Sequence, residues 1–327
     1  MKVLPYILWL LAVLFLPASA AAPQQTATPA AVAGIDAAIA RGTAWLARYP
    51  ASPDDGGLAD MLDEGVNYHV RRNLTRDAAE RARLDTQLRA HMTRLADLPE
   101  YTQWVYRGRK TLTDYYHLVL AAHLLRDADD TAGLRAEITK QAAGVLRRVP
   151  YCDPTKRLTI AVFLQYLGTD PGVSLPRVLA ASRIERIAQG RVPHLPPPGA
   201  SPEQRSAAEL EGYALVHEIV ALTDFGRLPV PPWLAQRRDA VVRQLDEAVI
   251  WAATAGNVDL AAELLICARL LQAPLTGNYR KAVEVIIAGQ LDDGSWGSQT
   301  TRRENKRRHA VLTATTALWV YRHAVPA

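Results

Sequence analysis

The stretch whose reading decides the fold is Lys281-Ala-Val-Glu-Val-Ile-Ile-Ala-Gly-Gln290-Leu-Asp292-Asp293-Gly294-Ser295-Trp296-Gly297. An apolar helix end runs into Gln, and a few residues later into Gly-x-Trp, where Gly permits a tight turn. Near the start of the chain, Asp54-Asp55-Gly56-Gly57 echoes Asp292-Asp293-Gly294, after a helical stretch holding Arg41-Gly42-Thr43-Ala44-Trp45-Leu46. Related turns in the first and last units are what a closed ring shows, because those units must meet.

Working outward, apolar residues recur at three- and four-residue spacing almost throughout, with no run of strict alternation. Ala, Leu and Arg dominate and Phe occurs only three times, a composition favouring helix over strand. The spacing predicts helices over Gly34–Arg48, Leu58–Asn73, Arg76–Asp97, Thr113–Arg126, Thr131–Val149 and Lys156–Leu167. The second half continues with Pro176–Ala188, Pro202–Thr223, Pro232–Ala255, Val258–Leu271, Gly277–Ala288 and His309–His323. Pro171-Gly172, Pro193 to Pro202, Pro229 to Pro232 and Pro274 fall between them. The expected fold class is all-α: an α/α toroid, a ring of antiparallel helical hairpins, with an open helical solenoid as the alternative.

The C-terminal stretch resembles the Gln-Trp repeat of terpene cyclases and prenyltransferase-like α/α toroids, with Gln290, Gly294 and Trp296 at its positions. The resemblance implies that the Gln side chain ties helix ends together and that the Trp stacks over it. Arg41-Gly42-Thr43-Ala44-Trp45-Leu46 is similar to the basic-Gly-x-x-aromatic-Leu start of the same repeat. Asp127-Ala128-Asp129-Asp130-Thr131-Ala132 resembles the Asp-x-Asp-Asp-Thr-Ala signature of proton-initiated cyclases, which would make Asp129 an acid. Against that, such chemistry needs aromatic walls to stabilise carbocations, and this chain is poor in aromatics. Fold alone does not settle function.

The ends of the chain set its expected location. Met1-Lys2, the apolar run Val3 to Pro17 and Ala18-Ser19-Ala20 are the three parts of a cleaved signal peptide over 1–20. A flexible Ala/Pro/Gln/Thr segment over 21–32 then leads into a single domain over 33–327. The expected product is periplasmic or secreted, with no transmembrane anchor after cleavage. Cleavage removes Lys2 and takes the formal charge from +5 to +4. Arg302, Arg303, Lys306, Arg307 and Arg308 crowd one stretch. No aromatics interleave it, so it reads as a solvated loop and not a nucleic-acid surface. Cys152 and Cys267 are the only cysteines, and sequence leaves open whether they pair.

The candidate chemistry lies in histidines about a hundred residues apart. His117, His217 and His309 each lie in or at the start of an apolar helix, and inner helices of a ring converge on its cavity. Asp114 precedes His117 by three residues and Asp224 follows His217 by seven, each expected on the histidine's face. Asp259, Glu263 and Cys267 form an i, i+4, i+8 stripe on an otherwise apolar helix with no Lys or Arg four residues away, which calls for a partner. His217, Asp224, Glu263 and His309 are the catalytic candidates, with His117 less favoured. His217, Asp259, Glu263 and His309 could together hold a divalent metal such as zinc. Protein prenyltransferases bind zinc through Asp, Cys and His at their cavity, a likeness at the level of fold only. No nucleophile elbow, phosphate-binding loop or dinucleotide fingerprint occurs. The expectation is a cell-envelope enzyme acting on a small or polymeric ligand in a central cavity; the alternative is a non-catalytic binding or assembly module.

Overall fold

Side-chain caps set many of the helix starts. Asp77 accepts from the amides of Ala79 and Glu80, Thr111 forms a capping box with Asp114, and Asp153 accepts from Lys156. Ser201 forms a box with Gln204, Asn257 accepts from Leu260 and Thr276 from Tyr279. Each satisfies amides that a helix start leaves without partners. The computed structural model describes residues 29–51, 57–108, 110–128, 131–149, 153–297 and 304–324. The proposed signal peptide, Asp54, Asp55, Asp129, Cys152, Arg302 and Arg303 lie outside them.

The chain is all-α, with no strand among the described residues. In order come α1 (Pro29–Arg48), α2 (Gly57–Leu74), α3 (Ala78–Ala96), α4 (Pro99–Tyr106), α5 (Leu112–Leu124), α6 (Ala132–Ala142), α7 (Val145–Arg148) and α8 (Pro154–Tyr166). These are followed by α9 (Leu175–Leu179), α10 (Arg183–Ala188), α11 (Pro202–Leu222), α12 (Pro232–Ala235), α13 (Arg238–Thr254), α14 (Val258–Leu270), α15 (Gly277–Ala288) and α16 (Glu304–Ala324). Three expected helices are each split in two. Thr131–Val149 breaks at Gly144, whose φ of 64° is left-handed, and Pro176–Ala188 breaks before the cap Ser182. Pro232–Ala255 breaks at Arg237. Helix α4 was not expected from the spacing.

Six helices contact one another in a cycle: α2 on α5, α5 on α8, α8 on α11, α11 on α14, α14 on α16, and α16 back on α2. Most of the others pack outside it, with α1 on α16, α3 on α2, α6 on α5 and α13 on α14. The buried apolar residues of these helices form one cluster.

The first and last described helices meet where α16 packs on α1. Gln290 Oε1 accepts from Arg41 Nε at 2.9 Å, and its Nε2 donates to Ala38 O at 2.9 Å and Gly294 O at 3.0 Å. Trp296 is wholly buried and donates to Ile286 O at 2.6 Å. A Cβ on Gly42 would fall 2.9 Å from the Trp296 ring, so the first motif is the seat of the last. Gly294 has φ 91°, and a Cβ there would lie 2.6 Å from Arg41 O. Of the basic stretch, Arg307 bonds Asp293 and Ser295, while Arg308 bonds Glu64 and Tyr49 O. Those two arginines are therefore structural partners and not part of a solvated loop. The Pro-rich loop is docked by Trp251 Nε1 donating to Pro196 O at 3.0 Å.

Candidate functional site

All six helices of the cycle line one cavity of about 680 Å³, measured to include its open mouth. Its polar wall includes Asp63 on α2, Tyr116 on α5, His217 on α11, Glu263 on α14, and His309 and Thr313 on α16. Several of these lie in the first two turns of their helices. The apolar wall comes from further along, with Val70, Phe163, Val220 and Ile266, and from Phe225 just past α11. The cavity is thus acidic and imidazole-bearing at one end and greasy at the other, as ligand cavities commonly are.

His309 is the hub of the polar end. Its Nδ1 lies 2.9 Å from Asp259 Oδ1, and its Nε2 lies 3.7 Å from both Asp63 Oδ2 and Glu263 Oε1. Asp259 is held from two further sides, by Thr313 Oγ1 at 2.6 Å and Tyr213 OH at 3.1 Å. Because Asn257 takes the cap of α14, Asp259 is free to face α16. Glu263, 8 % exposed, keeps Oε2 buried with no hydrogen-bond partner.

The environment drives these groups apart in protonation. Burial would depress His309, but Asp259, Asp63 and Glu263 around it raise it well above the usual imidazole range. Burial and the charge of Asp259 push Glu263 up, toward the neutral carboxylic acid. Burial would raise Asp259 as well, yet His309, Thr313 and Tyr213 outweigh it and hold Asp259 low, as the ionised partner. Burial also raises Asp63. Desolvation by the surrounding protein and the charge of His309 lower His217 below the usual imidazole range, although its side chain is exposed to the cavity. It is therefore a neutral imidazole at neutral pH.

The sequence-derived candidates divide clearly. Asp259, Glu263 and His309 come together, and His217 faces the same cavity without a hydrogen bond to them. His117 packs beside Tyr116 and Trp104 and does not line the cavity. Its expected companion Asp114 instead closes the capping box of α5 and bonds Trp104 and Arg107. Asp224 lies elsewhere. Helix α11 ends at Leu222, and Asp224, Phe225 and Gly226 all have positive φ (48°, 54° and 84°). The seven-residue spacing from His217 thus crosses a reversing turn, where the helical-face argument does not apply. That turn sends Phe225 into the cavity wall and Asp224 against His123, whose Nε2 is 2.5 Å from Asp224 Oδ1, and against Arg227. Both His123 and Asp224 are fully buried.

Asp63, Thr313 and Tyr213 were missed by sequence reasoning. Asp63 shares a helix face with Val66 and Val70 at i+3 and i+7, the one signal that could have found it. Cys267 is a buried free thiol 3.8 Å from Val216 O, and it sits outside the cluster. Donor atoms of Asp259, Glu263 and His309 lie within 4.8 Å of one another, so a divalent ion could gather those three, but not His217 with them. As arranged, His309 Nδ1 is committed to Asp259.

The chain is an all-helical protein whose cavity carries a His/carboxylate cluster. Residues 40–322 match the family described as a domain of unknown function (DUF6895), and the chain belongs to that family. No curated protein and no solved structure matches it.

Proposed function

We propose that this protein is an exported α/α toroid that works as a proton-transfer enzyme, hydrolytic or eliminating, in its axial cavity. The closed cycle of α2, α5, α8, α11, α14 and α16 supports the toroid reading. Export is supported by the signal-like first twenty residues, and no described helix is long and apolar enough to cross a membrane.

One observation carries the enzymatic reading: a carboxyl and an imidazole of opposite readiness face one cavity. Among the described residues, Glu263 is a buried carboxyl with an unpartnered oxygen, and His217 is a cavity-exposed imidazole, held below its usual range, with no hydrogen-bond partner. Groups whose surroundings push their protonation apart are the usual acid and base of an enzyme. Glu263 would give its proton to a leaving group, and His217 would take one from water or from carbon. His309, locked by Asp259, would stabilise negative charge forming between them. The buried, unpartnered carboxyl oxygen of Glu263 costs stability, which a binding surface does not require.

The test is turnover of glycoside, uronide, ester and amide fragments of envelope polymers, followed by mass spectrometry. The expected result is turnover of one class, lost by about a hundredfold or more in Glu263→Gln and His217→Ala. Binding of a fragment with no turnover, unchanged in Glu263→Gln, would replace the enzyme with the binding-module reading.

A further inference from the structure

A second pocket lies beside the axial cavity, between the inner helices α2 and α16 and the outer helices α1 and α3. It holds about 770 Å³ including its mouth, and its polar wall is built on Arg71, Arg94, Arg308, Glu64 and Tyr68. Asn67, 6 % exposed, lines both this pocket and the axial cavity.

The charges in this pocket do not cancel. Arg308 Nη2 lies 2.7 Å from Glu64 Oε2, and Tyr68 OH donates to the other Glu64 oxygen at 3.2 Å, so the single acid is fully engaged. His91, whose Nδ1 is 4.0 Å from Glu64, is held below the ordinary imidazole range by burial and adds no charge at neutral pH. Two cations remain. Arg71 donates Nε to Thr316 Oγ1 at 3.0 Å and stands 6.0 Å from the Trp319 ring, with no carboxylate at ion-pair distance among the described residues. Burial brings its guanidinium down to about 10, so the site already works against its charge. Arg94 is exposed and has no hydrogen bond or ion pair among the described residues.

Unpaired guanidinium groups enclosed by protein are costly unless an anion answers them. Arg71 is such a group, and the exposed Arg94 adds a second cation to the same pocket; with hydroxyl-bearing Thr43 on the same wall, they match the charge and the acceptor-rich shape of a phosphate dianion. We propose that this pocket binds a phosphate monoester group, carried by the molecule on which the axial cavity acts. The second half of that statement rests on the enzymatic reading above. The first half does not. With Asn67 as a shared wall, the phosphate would sit one side chain away from the cluster around His309. Arg308 and His309 are consecutive on α16, as are Asp63 and Glu64 on α2, so the same two helices turn one face to the anion and the next to the reacting atoms.

The experiment is calorimetric titration of the mature chain with inorganic phosphate at low ionic strength and neutral pH. Saturable binding with a dissociation constant of about 1 mM or tighter is expected, and acetate and chloride should bind more weakly. Arg94→Ala, at an exposed position with no partner among the described residues, should weaken binding at least about fivefold, and Arg94→Glu should abolish it. Glu263→Gln should bind phosphate as the parent does, so loss of turnover and loss of the anion site are read separately. Vesicles containing phosphatidic acid distinguish the source of the group. Retention on vesicles, competed by phosphate, assigns it to a lipid headgroup; phosphate binding without retention assigns it to a soluble ester. No saturable binding up to about 10 mM phosphate would overturn the proposal. So would binding that is undiminished in both Arg94→Ala and Arg71→Ala.

Discussion

His309 and Asp259, fifty positions apart, are joined at 2.9 Å across the contact between α16 and α14. The bond ties two neighbours of the helix cycle together and fixes which imidazole nitrogen turns toward Glu263 and Asp63. With Asp259 ionised and His309 protonated, Nδ1–H is the donor, and Nε2–H points between the two other carboxyls. Asp259→Asn removes the largest charge that supports the imidazolium. The pH at which His309 titrates should then fall by at least about one unit, read by imidazole nitrogen NMR. An unmoved His309 would mean that Asp63 alone sustains its charge.

Glu263 carries the opposite signature. Its folded value is raised by burial and by Asp259, above the 4.5 of an ordinary glutamic acid. Its contribution to stability is therefore fully present below pH 4.5 and is lost as pH rises through the folded value. Glu263→Gln keeps the shape and removes the ionisation. Denaturant titrations at pH 5 and pH 9 should show the parent losing about 1 kcal/mol or more relative to the variant across that interval. Equal slopes in both proteins would show that Glu263 is ionised in the fold.

At the buried pair behind the cavity wall the direction reverses. Burial pushes Asp224 up, but His123 and Arg227 outweigh it and bring it to about 2. Burial lowers His123, which is therefore the neutral partner donating from Nε2 while its Nδ1 lacks a hydrogen-bond partner. Both groups have depressed folded values, so the stability they confer is present above their unfolded values of 6.5 and 3.8. It is lost as pH falls below 6.5 and on toward 2. From Asp224 alone, about 2 kcal/mol disappears over the lower part of that range. Asp224→Asn should be destabilised at pH 7 and converge on the parent near pH 2, measured by urea unfolding. A constant gap across pH would mean that the turn's backbone strain, and not the charge, is what Asp224 serves.

How far the sequence could be read depended on contrast. Asp259 and Glu263 stood out because α14 is otherwise almost wholly apolar, and an acid there demands a partner. Asp63 did not stand out, because α2 also carries Asp60, Glu64, Arg71 and Arg72, and periodicity alone does not say which charge turns inward. His123 went unremarked on the helix that holds His117, although it is the one fully buried. Asp224 was misassigned because nothing local announces three successive positive-φ residues when only the third is glycine. The all-helical class was legible throughout, since a 3.6-residue repeat survives wherever one helix face is buried. The splits at Gly144, Ser182 and Arg237 were not, because apolar spacing continues across each of them.

The junction between α1 and α16 gives the sharpest test of how the outer helix seats on the cycle. A methyl at Gly42 would come within 2.4 Å of Thr315 Oγ1 on α16 and 2.9 Å of the Trp296 ring. Because Gly42 is mid-helix with ordinary φ, alanine there should favour the helix locally by up to about 1 kcal/mol. Overpacking opposes this by about 1–3 kcal/mol, since Trp296 is fully buried and has no room to retreat. The net expectation for Gly42→Ala is a lower melting temperature, the reverse of its effect in an isolated helix. Thr315→Ala removes one of the two obstructing groups together with a buried hydroxyl that has no partner, so the double variant should recover part of the loss. Gln290→Ala breaks the bonds to Arg41 and Ala38 without adding bulk, and should cost about 1–2 kcal/mol. If Gly42→Ala instead raises the melting temperature, α1 does not sit against α16 and Trp296.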